Sequence, residues 1–560
     1  MNKKLILIGL LAIALILSGC VSETGEQNGT ATGNGGSGEN GAGSGQAEEG
    51  IKFRIDLDDA VEVNGKLAYV VEEDSEDDKE FVVYDGKEQK KYDWIQKLAK
   101  IDGKLVYYGD NYAEKGYWVY DGEEKAGSGF TEIGGKLAYR VQPEYSVPEK
   151  ENYIMYGEEK VGLEYYRVGS PYEVNGKLTY VAKKGKENEY TSRTYAGYPF
   201  VVYDGEEQPE YKDIWDYPFE VNGKLTYIAG VLVGVGGVEK EVVVYDGKEQ
   251  TLEGGGSTRE ISCVGGVNGK LAYRLKTYPE NPRPYELEKR STRYVIVYDG
   301  ERQPLYDYVK CPYEVNGKLI YWATNEDKEF IVYGGEEQKK YDEVENFLGV
   351  NGKLAYVAKE GRQQFVVYDG KEHEKYYQLI DQDRKAPYFP DSYNLYLTEI
   401  NGRLVYSAIK KIEDADTTYN YDLEEKIFIV YGEEEVGTEY QDASSPIEVN
   451  GKLAYVAKEE DKQFVVYDGK ELKKYDLLGG ILGGGCSLKF DMCLLEVNGK
   501  LAYVAREGDK QFVVYDGKEL KKYDDVERLI EVNGKLAYIA KEGNKQFVVF
   551  DEKELKKFDS

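Results

Sequence analysis

Glu531-Val532-Asn533-Gly534-Lys535-Leu536-Ala537-Tyr538, then Gln546-Phe547-Val548-Val549-Phe550 and Lys553-Glu554-Leu555-Lys556-Lys557-Phe558-Asp559, is the clearest copy of a phrase that occurs twelve times in this 560-residue chain. Asn-Gly between two apolar runs is the signal of a tight hairpin turn, because both residues tolerate positive φ. Lys-Leu-Ala-Tyr-Ile-Ala and Gln-Phe-Val-Val-Phe are apolar on both faces, as strands sandwiched between neighbouring sheets are. A unit of this kind cannot bury its own faces, so the copies must stack on one another.

Aligned on the turn glycine, the copies fall at Gly65, Gly103, Gly135, Gly176, Gly223, Gly269, Gly317, Gly352, Gly402, Gly451, Gly499 and Gly534, spaced 32 to 50 residues apart, and Asn precedes the glycine in ten of them. Four β segments follow. Segment a is short and ends at the turn, b is the Lys-Leu-Ala-Tyr run, and c is Gln-Phe-Val-Val-Tyr, closed by Asp-Gly in most copies. Segment d, Lys-Glu-Leu-Lys-Lys-Tyr-Asp, is polar enough for an outer edge. Its Leu and Tyr are three apart, which a bulge or a short helical turn would explain. All twelve copies place Tyr four residues after the glycine, from Tyr69 to Tyr538, and eleven end segment c in Tyr, from Tyr84 to Tyr515. Rings with a hydroxyl handle suit layered sheets, so the tyrosines read as architecture.

The layout resembles the β-propeller repeats of the TolB-like and WD-type superfamily, in which a turn-Gly-Lys, an apolar strand, a hairpin and a second apolar strand ending in Asp-Gly make each blade. The resemblance implies an all-β propeller of about twelve four-stranded antiparallel blades over residues 51–560, and it carries no functional residues across. An open solenoid is the alternative. The last segment d runs to Ser560 without a polar capping repeat, and closure does away with caps, so a closed arrangement is expected. Twelve blades exceed the usual four to eight. Two six-bladed rings, 51–310 and 311–560, or one large ring remain open, with two rings preferred. Ile51-Lys52-Phe53-Arg54-Ile55-Asp56 reads as an extra segment d that would leave one strand surplus.

At the start, Lys3 and Lys4 precede an apolar run from Leu5 to Leu17, and Leu17-Ser18-Gly19-Cys20 follows. The run is too short to span a bilayer. The segment resembles a prokaryotic lipoprotein signal, which implies cleavage after residue 19, lipidation of Cys20, and an extracytoplasmic protein held at the membrane by its acyl chains. A plain signal peptide is the other reading. Residues 21–49 are mostly Gly, Ser, Glu, Asn and Thr and form a tether, residues 20–49 with the lipidated Cys20, reaching about 30 Å. No later stretch is long and apolar enough for a second anchor.

The net charge is −31, from 73 basic and 104 acidic residues. Such a chain repels phosphate backbones, which argues against nucleic acid as a partner. Acidic runs such as Glu72 to Asp78 read as solvated hairpin tips, since no calcium-loop pattern occurs. His373 is the only histidine and is expected to be exposed in segment d of the eighth copy, which removes most His-based triads and zinc sites. No metal, cofactor or catalytic constellation is expected.

Antiparallel a-b-c-d order puts the Asn-Gly and Asp-Gly turns at one end and the b–c loops and inter-blade connections at the other, so the variable loops share one face. There, the fourth b–c loop (183–199) carries Tyr190, Arg193, Tyr195 and Tyr198, and the sixth (275–293) carries Tyr278, Arg283, Tyr285, Arg290 and Arg293. Tyr and Arg are interface-type residues; the plainer reading is that these arginines pair with nearby carboxylates. Two apolar Gly-rich stretches, Val231 to Gly237 and Leu477 to Gly483, either fold inward or meet a partner. Cys263, Cys311 and Cys493 each stand five residues before a repeat Asn. Disulfides Cys263–Cys311 and Cys486–Cys493 are expected outside the cytoplasm, with reduced buried thiols as the alternative. The sequence thus points to a lipid-anchored, non-enzymatic scaffold binding an envelope protein or glycan through its loop face. A polysaccharide hydrolase or lyase using loop carboxylates, or a purely structural array, are the alternatives.

Overall fold

The computed structural model describes residues 52–560 except 76–77, 112–115, 126, 142–151, 188–193, 216, 234–237, 251–259, 278–292, 362, 374–375, 378–396, 412–424 and 480–493. It holds twelve antiparallel sheets in the order a-b-c-d, each made from one continuous stretch of chain. Strand a is in two pieces in blades 4, 5, 7 and 11, and strand d in blade 8. Blade 12 shows the pattern whole: Asp525–Val532, Lys535–Glu542, Lys545–Phe550 and Lys553–Asp559.

Local chemistry sets each element. Asn533 and Gly534 have φ of 53° and 76°, the left-handed pair that a two-residue turn of matching twist needs. Strand a is longer than the short segment expected, because an irregularity between Glu527 and Ile530, with Arg528 at φ 53°, breaks its alternation. The same device explains the three-residue spacing in strand d: a register shift, not a helical turn, sets Phe558 opposite Gln546 and Glu554 opposite Val549. Residues 52–56 are the first half of strand a in blade 1, paired with Val70 to Asp74. They are not a segment d, and no strand is surplus.

Twelve apolar clusters, each joining consecutive blades, run around the chain. One of them joins blade 12 to blade 1 through Phe550 and Phe558 against Ile55, Leu57, Tyr69 and Phe81. The blades therefore form one closed β-propeller ring. Blades 6 and 7 pack through Val267, Ala272 and Ile296 against Tyr306, Val309 and Leu319. Residue 310 thus lies inside a continuous seam, and the two-ring arrangement is not adopted. Each buried large apolar side chain contributes about 1.5–3 kcal/mol, so shape-matched seams dominate the stability.

The repeated polar residues join what the apolar ones pack. On the turn face the Lys after Asn-Gly pairs with the Asp of Asp-Gly, as in Lys353–Asp369 at 2.8 Å and Lys500–Asp516 at 2.9 Å. The tyrosine ending strand c donates to the carbonyl before the Asn-Gly turn, as Tyr467 does to Val449 at 3.2 Å. Between blades, Lys and Tyr of strand d converge on one Glu of the next strand d. Lys473 and Tyr475 reach Glu519 at 2.6 and 3.2 Å, and Lys521 and Tyr523 reach Glu554 at 2.5 and 3.2 Å.

Candidate functional site

Strands a of neighbouring blades lie against one another around the ring, so they form its inner wall and strands d its outside. The b–c connections lie on the face opposite the turns. Two of them are flanked by lengthened strands, hairpin arms whose tips, 188–193 and 234–237, lie outside the described residues. Strands b and c of blade 4 extend as Lys177–Glu187 and Thr194–Tyr203, those of blade 5 as Lys224–Val233 and Val238–Tyr245. Val231, Leu232 and Val233 are therefore strand residues paired with Lys240, Glu239 and Val238, with Leu232 exposed at 52%. Leu477 and Leu478 are likewise strand, opposite Arg506 and Ala505.

Of the sequence candidates, Tyr195 falls on the lengthened part of strand c in blade 4 and Tyr198 at the position, two before Phe200, where strand c of blade 12 begins, and the Tyr198 side chain is exposed. Arg293 begins strand c of blade 6 and pairs with Asp307 at 2.9 Å, so its charge is met by a neighbouring carboxylate. Tyr190, Arg193, Tyr278, Arg283, Tyr285, Arg290, Cys20, Cys486 and Cys493 lie outside the described residues. Cys263 and Cys311 are joined, Cα atoms 5.2 Å apart, and link blade 6 to blade 7. His373 is half-buried rather than exposed: its Nδ1 lies 3.1 Å from the Tyr406 hydroxyl of blade 9, and burial lowers its pKa.

The inner wall carries five exposed aromatic rings among the described residues. Trp94, Trp215, Tyr217, Tyr308 and Tyr313 are all exposed there, on or beside strands a of blades 2, 5 and 7. Tyr217 packs on Tyr172 of blade 4 with centroids 4.8 Å apart. Beside this pair is Arg140 of blade 3, whose Nε donates to Ser128 Oγ at 3.2 Å. Burial and the nearby charge of Arg167 lower its pKa, and the hydroxyls of Tyr172 and Tyr217 are its other ionisable neighbours. In blade 7, Lys310 Nζ sits 3.0 Å from the centre of the Trp322 ring. These residues were not singled out from the sequence. The signal was available column by column: Arg140 stands where other copies have Val70, Val181, Ile228, Val357, Val456, Val504 or Ile539.

Carboxylates with raised pKa stand on strands a, Asp525 and Glu345, and on strand c of blade 7, Glu329. Asp525 is pushed up to about 6 by burial and by Glu527, while Lys541 is held by Glu527 at 2.8 Å. Burial and Glu343 raise Glu345, and burial raises Glu329 although it accepts the Val344 N–H at 2.9 Å. Asp525 is buried, where a glycan cannot reach it. Among the described residues no three His, Cys, Asp or Glu side chains gather to hold a metal ion, and no helix is long and apolar enough to cross a membrane.

No family model and no curated protein matches the chain. Solved structures do. The β-propeller domain of the Trilobed protease from Pyrococcus furiosus matches at 12% identity and TM-score 0.22, covering 53% of this chain and 95% of that one. A prolyl endopeptidase matches at 12% identity and TM-score 0.25, covering 57% of this chain and 55% of that one. The fold assignment here rests on the twelve sheets and their closed packing.

Proposed function

We propose that the protein is a lipid-anchored, extracytoplasmic scaffold, at the cell surface or in the periplasm, that binds an envelope protein or glycan through its loop-rich face. The observation that carries this reading is the pair of lengthened hairpins on blades 4 and 5, with Tyr198 exposed at the base of the first and Leu232 exposed on the second. Exposed aromatic and aliphatic side chains on arms held by packed strands are what a binding face requires. The lipobox-like Cys20 and the tether after it supply the anchor. The TolB-like layout of the repeat is compatible with such a scaffold role.

Capture of envelope protein and polysaccharide fractions by the full-length protein, beside a variant whose arms are cut at 186–195 and 231–240, tests the reading. Capture lost in the variant supports it. Equal capture by both would favour a structural array. Lipid labelling that is abolished in Cys20→Ala tests the anchor.

A further inference from the structure

In an acidic protein whose lysines are repeatedly paired with carboxylates, one part of the inner wall reverses the pattern. The first paired residue of strand a is an acid opposite a lysine of strand b in four blades: Glu260 opposite Lys276, Glu343 opposite Lys359, Asp442 opposite Lys458 and Asp525 opposite Lys541. Two of these make direct ion pairs, at 2.9 Å for Lys276–Glu260 and 3.2 Å for Lys359–Glu343. In blade 4 the corresponding residue is Arg167, opposite Lys183. Like charges directly across strands repel rather than stabilise. Arg140, on the neighbouring blade, brings a third cation into a column that is otherwise mostly aliphatic. Its Nε is used by Ser128, and among the described residues the outer N–H groups of its guanidinium meet no protein acceptor. Arg274 holds the same column in blade 6 and differs: it also reaches the Val309 carbonyl at 3.2 Å and the Tyr308 hydroxyl at 3.4 Å.

We propose that Arg140 and Arg167, with Lys183 opposite Arg167 and with exposed Tyr217, and Trp215 two residues before it, on blade 5, bind an acidic sugar: a pyranose bearing a carboxylate, within an anionic glycan. This rests on the scaffold reading above and names its ligand class. A guanidinium with free N–H groups matches a carboxylate in bidentate geometry. Trp215 and Tyr217, exposed at 55% and 70%, offer flat apolar faces with polar edges, which suit a sugar ring whose C–H face is apolar and whose rim is hydroxylated. The lowered pKa of Arg140 fits a cation partly withdrawn from water that an anion would relieve.

Calorimetric titration of the full-length protein with a hexamer of α-1,4-galacturonate, beside its methyl ester, tests the proposal. The acid form is expected to bind and the ester to bind at least tenfold more weakly. Arg140→Gln and Arg167→Gln should each lose tenfold or more, and Trp215→Ala several-fold, with unfolding midpoints no lower than wild type in the arginine variants. Equal affinity for acid and ester, no binding of either, or unchanged affinity in both arginine variants overturns it. Tighter binding of a poly-glutamate peptide than of the hexamer overturns it in favour of a peptide ligand. Envelope capture that survives Arg140→Gln/Arg167→Gln but not removal of the arms overturns this site and leaves the scaffold reading standing.

Discussion

The seam between blades 11 and 12 and the seam that closes the ring, between blades 12 and 1, pack the same positions with different chemistry. In the first, Tyr523 lies 6.3 Å from Tyr538 and 5.7 Å from Phe547, and its hydroxyl reaches Glu554. In the second, Phe558 takes the place of Tyr523, 6.0 Å from Phe81, and Phe550 takes the place of a strand-c tyrosine. Tyr69, the counterpart of Tyr538, is fully buried with a hydroxyl that has no hydrogen-bond partner among the described residues. The lysine arm of the clamp survives as Lys556–Glu88 at 2.8 Å, and Arg528–Asp58 at 3.1 Å and Lys535–Glu62 at 3.2 Å are added. A cleft of about 150 Å³ lined by Lys66, Leu67, Asp85, Phe550 and Leu555 opens on its turn face. The difference teaches that apolar shape closes the ring, and that the tyrosine–glutamate clamp is an addition to it.

If so, the largest effect comes from the apolar element. Phe558→Ala should cost about 3–5 kcal/mol, read as a drop in unfolding free energy, with proteolysis starting in blades 1 and 12. Reduction of Cys263–Cys311, which spans 48 residues, should cost roughly 2–4 kcal/mol, and Cys263→Ser should abolish that response to reductant. A smaller contrast separates the hydroxyls. Tyr538→Phe should lose about 1 kcal/mol and Tyr69→Phe nothing, while Phe558→Tyr should gain about 0.5–1 kcal/mol by giving Tyr69 a partner and Glu88 a second one beside Lys556. Equal losses at Tyr69 and Tyr538 would break the comparison.

The smallest expected effect is a pH dependence at the blade 8–9 seam. Burial lowers the His373 pKa below the unfolded value of about 6.5. As pH falls through that value the unfolded chain takes the proton first, so stability is present above it and declines below it. His373→Gln should flatten the wild-type slope between about pH 6.5 and 5, by less than about 1 kcal/mol.

The sheets were legible because the Asn-Gly turns and doubly apolar strands are local signals. Ring number was not, since it depends on whether Phe550 and Phe558 fit the first blade or a middle one, which no local pattern states. Phe53 and Ile55 misled because their alternation suits either strand a or strand d, and only the register with Val70 to Asp74 decides. The bulge at Arg528 hid half of strand a in the same way. As for the site, attention went to Tyr–Arg clusters in long insertions, while Arg140 and Arg167 are single exchanges inside the repeat. They gain meaning only when the copies are set side by side, and His373 was misplaced because its neighbour Tyr406 comes from the next blade.

Because every blade is one unbroken stretch of chain and the ring closes without a strand crossing from one end to the other, the unit of the gene and the unit of the fold coincide. A tandem duplication or deletion of one repeat leaves no orphan strand behind. Circumference can then change in whole blades, and a lineage can widen or tighten the central opening by recombination alone, adjusting only the one seam where the two ends meet.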